Sequence, residues 1–255
     1  MTAETLPGRW VARSRTSDDV RLRLLCFPHV GAGATAFRAW IPHLPPGVEL
    51  CAVRLPGREN RLAEPLLDSP DALFPLLDPA LETLLDLPFA VIGHCSGSVL
   101  AYEYVRRLQR AGGPPPRHIV LSSAPGAAVR QINDPLHLLP RDELIARVSE
   151  FGGMPEAVSS DADLMTMFER ILRADYRVIE LLTYSTGAPL DVPITVLGGR
   201  RDEFVTVCEM AAWSEATSKE FTLHLLDAGH YVLYKAAATI GRLVREISEA
   251  GNDEH

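Results

Sequence analysis

The sequence is short of cysteine, of long apolar runs and of positive charge, and each shortage excludes a class of protein. Its four cysteines, Cys26, Cys51, Cys95 and Cys208, are scattered through 255 residues without a CxxC pair or a Cys/His cluster at ligand spacing. Neither a disulfide framework nor a zinc site is indicated. Free thiols in a reducing compartment are expected, with Cys26, Cys51 and Cys208 as buried small hydrophobes. Apolar stretches are broken by Arg, Pro, His or Gly well short of the roughly 18–20 residues that span a bilayer, so no transmembrane helix is predicted. The opening segment Met1–Trp10 has neither a basic nor an apolar leader region, which predicts no secretory signal and a cytoplasmic location. Against 33 acidic residues stand 25 basic ones, and the resulting charge of −8 argues against a general nucleic-acid binder, which needs a concentrated basic face.

What remains is an ordinary globular composition, 47% hydrophobic and 23% charged, in a chain long enough to bury one large core without staples. Short apolar runs rich in β-branched residues, at 22–27, 48–53, 89–92, 118–121, 194–197 and 221–226, read as strands. Helical periodicity occupies 71–85, 98–110, 205–215 and 231–249 between and after them. Strands alternating with helices predict an α/β fold with a mostly parallel sheet covered on both faces. From 133 to 186 the alternation stops. This stretch contains only helical segments, at 140–151, 162–173 and 176–182, and is too long for a simple connection. It reads as a helical lid inserted into a core made of residues 1–132 and 187–255.

The sharpest local signal is Gly93-His94-Cys95-Ser96-Gly97, placed after a strand and before a helix. It has the G-x-nucleophile-x-G form of a nucleophile elbow, with Cys95 where Ser is usual. Flanking glycines let the backbone turn sharply, and the following helix N-terminus adds positive potential and a free N–H. A thiol there can attack as its thiolate. A frame shifted to Ser96 gives up both flanking glycines, and a tight turn around a packed cysteine is the competing bland reading.

Such an elbow needs an acid and then a histidine at the ends of later strands. Asp202 follows the strand at 194–197 and His230 follows the last strand, so the order Cys95, Asp202, His230 fits. Asp227 and Glu203 compete for the acidic role. The oxyanion hole needs two amides, one from Ser96 and one from the glycine-rich loop Phe27-Pro28-His29-Val30-Gly31-Ala32-Gly33, where Val30 is the candidate. His29 reads as a residue that shapes this hole rather than as a second base.

Together these residues resemble the stand-alone type II thioesterases of polyketide and nonribosomal peptide assembly lines, within the α/β-hydrolase superfamily. The resemblance extends from Leu25-Cys-Phe-Pro-His-Val-Gly-Ala-Gly33 through Leu55-Pro-Gly-Arg-Glu-Asn-Arg-Leu62 and the segments Phe151-Gly-Gly-Met-Pro155 and Leu172-Arg-Ala-Asp-Tyr176 to Gly229-His230-Tyr231. It implies release of acyl groups from the phosphopantetheine arm of an acyl or peptidyl carrier protein, with no cofactor of the enzyme's own, in a monomer. By position, Cys95 becomes the nucleophile, His230 the general base and Asp202 its orienter. The cysteine departs from the family's usual serine, and it makes acyl transfer or cyclisation onto an amine, hydroxyl or second thiol an alternative to hydrolysis. An acidic carrier calls for a local basic surface. Arg106, Arg107, Arg110 and Arg117 form one candidate, which reads equally as a solvated helix face, and Arg54, Arg58 and Arg61 another, in which Arg58 and Arg61 belong to the family motif and can be structural instead. Met154, Leu164, Met165, Met167 and Phe168 could line an acyl channel or simply be core.

Overall fold

The computed structural model describes residues 6–154 and 156–250, so Met1 to Thr5 of the amino-terminal reading and Pro155 of the lid motif lie outside it. Among these residues seven strands form one sheet: β1 (Val11–Arg15), β2 (Leu22–Phe27), β3 (Val48–Val53), β4 (Phe89–His94), β5 (Ile119–Ser122), β6 (Ile194–Gly199) and β7 (Phe221–Leu226). Their order is β1-β3-β2-β4-β5-β6-β7, antiparallel only at β1 and β3. The α/β expectation holds, with β1 the strand that the apolar-run criterion missed. Val11-Ala-Arg-Ser-Arg15 carries little apolar signal, and it joins the edge because Arg13 and Arg15 reach Glu49 on β3.

Among the described residues eight helices accompany the sheet: α1 (Leu6–Trp10), α2 (Pro70–Glu82), α3 (Ser96–Arg110), α4 (Arg141–Glu150), α5 (Glu156–Ser159), α6 (Ala162–Leu181), α7 (Val207–Ala211) and α8 (Ala237–Ala250). Successive strand residues point to opposite faces. Leu25, Phe27, Val91 and Leu121 therefore meet α2 and α3 on one side. Leu24, Cys26, Ile92 and Val120 meet α8 and the 3₁₀ segment Ala34–His43 on the other, around Phe37 and Trp40. The central strands are buried on both faces, as a covered parallel sheet requires.

Between β5 and β6 the described residues form α4, α5 and α6 and no strand. These helices have a small apolar cluster of their own, Leu144, Val148, Phe168 and Leu172, against which Val30 and Tyr176 pack. The break predicted near Ala174 does not occur, and α6 runs through it. Arg173 pairs with Glu169 one turn earlier, and Asp175 is satisfied by partners outside the helix. No helix among the described residues is long and apolar enough to cross a membrane.

One expectation about an individual residue is corrected. Cys208 is exposed on α7, whereas Cys26 and Cys51 are buried. Most of the arginines considered for carrier docking have partners within the fold, in line with their alternative reading as ordinary face or structural side chains. Arg106 is buried and donates to the Ser185 and Ala188 carbonyls, Arg107 pairs with Asp78, and Arg110 reaches Ser185. In the second group Arg58 pairs with Asp175, Arg61 with Glu64, and Arg54 with Asn60.

Candidate active site

Cys95 occupies the junction of β4 and α3 with φ 52° and ψ −120°, a region that a non-glycine residue enters only under constraint. The constraint is visible on both sides. A Cβ on Gly93 would lie 2.3 Å from the Gly97 carbonyl oxygen, and one on Gly97 would lie 2.1 Å from the Phe27 carbonyl oxygen. Only glycines let the turn close this tightly against β2. The Cys95 amide is tied to the Ser122 carbonyl at 2.7 Å, so the strained residue is anchored to β5. Ser96, the competing nucleophile, is a buried first residue of α3 rather than the residue at the turn.

The loops after β6 and β7 bring Asp202 and His230 to the same sheet edge, at the carboxyl ends of the strands where such folds place their chemistry. His230 Nδ1 lies 3.0 Å from Asp202 Oδ2 and 3.2 Å from Oδ1. Asp202 Oδ1 also accepts the amides of Phe204 and Val205, at 3.0 and 3.1 Å, which fixes the carboxylate's orientation. Burial opposes charge on Asp202, but the His230 hydrogen bond and charge and these two amides hold its carboxyl below the usual range. Asp227, the rival acid, is exposed and pairs instead with Arg201.

His230 is the one histidine of this region that favours its charged form. Burial works against the imidazolium, yet the charge and hydrogen bond of Cys95 and the hydrogen bond of Asp202 push it up to about 10. The two histidines beside it behave oppositely. His94 is fully buried, with Nδ1 3.0 Å from Ser122 Oγ, and burial followed by the charges of His29 and His230 takes it well below the ordinary range. His29 is lowered chiefly by burial. Its Nε2 sits 2.9 Å from the Tyr234 hydroxyl and its Nδ1 2.9 Å from the Val30 carbonyl. Both ring nitrogens of His29 are thus engaged, one with the Val30 carbonyl and one with the Tyr234 hydroxyl.

Cys95, Ser96, Val30 and His230 line a common cavity of about 380 Å³. Its walls come from α3 (Val99), the strand ends (Ser123, Ala124), the loop after β5 (Ile132) and the helical insertion (Phe151, Tyr176, Ile179). The lid side chains singled out from sequence are elsewhere. Leu164 and Met167 are exposed, and Met154 and Phe168 line an adjacent cleft. The helical stripe marked a face, but α6 presents Tyr176 and Ile179, about two to three turns further on, to the cavity.

Ser123 is the residue that sequence reasoning missed. It sits just past β5 with φ 48°, lines the cavity, and donates its hydroxyl hydrogen to the His230 carbonyl at 2.7 Å. Nothing in Leu121-Ser-Ser-Ala124 signals this, because the acceptor is a backbone atom 107 positions away.

The thioesterase domain family matches residues 22–250. The chain is similar to the gramicidin S biosynthesis protein GrsT of Aneurinibacillus migulanus, with 32% identity over 92% of each chain. Among solved structures it is similar to RedJ, a thioesterase from the prodiginine biosynthetic pathway in Streptomyces coelicolor. That match has 30% identity and a TM-score of 0.82, and covers 90% of this chain and 93% of the other. It is also similar to BorB, a type II thioesterase from the borrelidin biosynthetic cluster, at 32% identity and a TM-score of 0.81 over 94% and 96% of the two chains. Sheet topology and family match agree, and the chain belongs to the thioesterase domain family, grouped with type II thioesterases, and is a hydrolase of thioesters.

Proposed function

We propose that this chain releases acyl groups from the phosphopantetheine arm of acyl or peptidyl carrier proteins in polyketide or nonribosomal peptide synthesis, through a covalent acyl-Cys95 intermediate. The observation that carries the reading is the strained placement of Cys95 between two obligatory glycines, beside a histidine that Asp202 orients. The similarity to thioesterases of such biosynthetic pathways supports this choice of substrate class.

In the first half-reaction the Cys95 sulfur, its proton passed to His230, attacks the thioester carbonyl carbon, forming a C–S bond while the carbonyl pair moves onto oxygen. The amides of Ser96 and Val30 hold that oxyanion. Collapse breaks the bond to the pantetheine sulfur, which leaves with the proton of the His230 imidazolium. Neutral His230 then takes a proton from water as the water attacks the acyl-Cys95 carbonyl, a general-base step worth roughly 10²–10⁴ in rate. Collapse returns that proton to the departing Cys95 sulfur and releases the free acid. Thioester and water balance the reaction without a cofactor. In this reading α4 to α6 form the lid over the acyl group, with Tyr176 and Ile179 facing it.

Attack by sulfur exchanges one thioester for another, so the acyl-enzyme keeps its activation, whereas a serine would form a less reactive oxygen ester. This favours a second reading, in which Cys95 passes the acyl group to an amine, a hydroxyl or another carrier thiol. Intact-mass analysis with an acyl-loaded carrier protein separates the two. An adduct on Cys95 followed by free acid supports hydrolysis, and an adduct that persists until an amine or thiol is added supports transfer. Cys95→Ser is expected to lower the fraction of acyl groups captured by an added amine, and unchanged turnover in Cys95→Ala overturns the nucleophile assignment.

A further inference from the structure

The Val30–Gly31 peptide beside the cavity is held at both of its polar atoms. His29 Nδ1 lies 2.9 Å from the Val30 carbonyl oxygen. The Gly31 amide donates at 2.8 Å to Asp175 Oδ2, on the lid helix α6. A peptide unit is planar, so pinning its C=O and its N–H fixes the plane and constrains the neighbouring Val30 backbone.

Asp175 is itself locked. It is 7% exposed and receives a bidentate fork from Arg58, Nη1 to Oδ2 at 2.6 Å and Nη2 to Oδ1 at 2.7 Å. Arg58, 5% exposed, belongs to the loop after β3 and also donates to the Ala32 carbonyl at 3.2 Å. Phe168 and Leu172, also on α6, close over Gly31: a Cβ there would lie 2.8 Å from the Phe168 ring and 3.1 Å from Leu172. Gly31 has φ 76°, a conformation that suits glycine. One carboxylate thus joins the lid helix, the loop after β2 and the loop after β3. A buried ion pair contributes little net stability, and its best-attested use is to fix register. Here the register is that of α6 against the Val30 loop.

We propose that Asp175 is a positioning residue for the oxyanion hole, so that the Val30 amide is aimed at the reacting carbonyl only while α6 is seated on Arg58. The inference rests on the assignment of Val30 as an oxyanion donor. Its consequence is that lid seating and catalytic competence are one event: an acyl group that holds α6 away from the loop is bound without efficient acylation of Cys95.

The test uses an acyl-N-acetylcysteamine thioester, which needs no carrier docking, and the variants Asp175→Asn and Arg58→Lys. Asn keeps the shape but loses the charge that holds the fork, and Lys keeps the charge but loses the bidentate geometry. Both are expected to lower kcat by about 10²-fold, the scale of a displaced catalytic group, with KM nearly unchanged. Alkylation of Cys95 by iodoacetamide is a direct substitution that forms no oxyanion, and its rate is expected to stay at the wild-type value. Hydrogen exchange at the Gly31 amide should accelerate in both variants. Undiminished kcat in either variant that folds overturns the proposal, as does alkylation that falls in parallel with kcat. If Asp175→Asn does not fold, Arg58→Lys is read by the same criteria. Should neither fold, an unprotected Gly31 amide in the wild-type protein overturns the proposal and a protected one supports it. Turnover by Cys95→Ala is the separate result that would sink the underlying reading.

Discussion

The hydroxyl of Ser123 donates to the main-chain carbonyl of His230 across 2.7 Å, so the loop that carries the imidazole is fastened to the end of β5 by a residue whose backbone is held at positive φ. Alanine at 123 keeps the positive φ and leaves a buried carbonyl without its donor, at a cost of about 1–3 kcal/mol in stability. Part of that loss should appear as a misplaced imidazole. Each 1.4 kcal/mol of lost transition-state stabilisation is about tenfold in rate, so kcat is expected to fall about tenfold with KM little changed. Glycine lacks the hydroxyl too but relieves the φ strain, so Ser123→Gly should be more stable than Ser123→Ala by about 1 kcal/mol while no more active. Equal kcat in Ser123→Ala and wild type would remove the positioning role.

The raised pKa of His230 makes a second, spectroscopic prediction. Burial lowers it, and the Cys95 charge leads the effects that outweigh burial, ahead of the Asp202 hydrogen bond. In the wild type the His230 ring should remain protonated well past neutrality and titrate toward about 10. In Cys95→Ala it should titrate at distinctly lower pH, and Asp202→Asn should shift it in the same direction. Because the folded value lies above the ordinary 6.5, the stability from this charge is fully present below 6.5 and fades as pH rises toward about 10. Imidazole resonances followed by NMR across pH 5 to 11 decide the matter, and identical His230 titration in wild type and Cys95→Ala would refute the coupling.

Legibility in the sequence followed the range of the interactions. The strands at 22–27 and 48–53 have the bounds that apolar patterning gave them, because every residue in them is buried. The edge strand Val11–Arg15 escaped, since its place depends on arginines meeting a glutamate that lies far off in the chain. The last helix begins at Ala237 rather than 231, because Val232–Tyr234 forms a 3₁₀ turn that places Tyr234 against His29. At the site, Cys95, Asp202 and His230 stand in a motif and an order that chemistry dictates. Ser123 and Asp175 act on backbone atoms more than a hundred positions away, and no local pattern encodes that.

Glu49 accounts for how the polar edge of the sheet is held, and it sets a pH signature separate from the active site. Its carboxylate is almost wholly buried, with 1% of the side chain exposed. It accepts from Arg13 at 3.0 and 2.7 Å, from Arg15 at 2.9 Å and from Arg23 at 3.0 Å, joining β1, β3 and β2. Burial alone would raise its pKa, but the three guanidinium groups hold it down to about 2. Glu49→Gln leaves these arginines facing a neutral amide and should cost about 3 kcal/mol at neutral pH, as breaking a buried pair does. The folded pKa lies below the ordinary 4.5, so the contribution is complete above 4.5 and is lost as pH falls toward about 2. Urea unfolding at pH 7, 4.5 and 3 should therefore show a constant gap between wild type and Glu49→Gln at the two higher values and a narrower one at pH 3. A gap that widens on acidification would mean that the carboxylate is not the charged centre of this network.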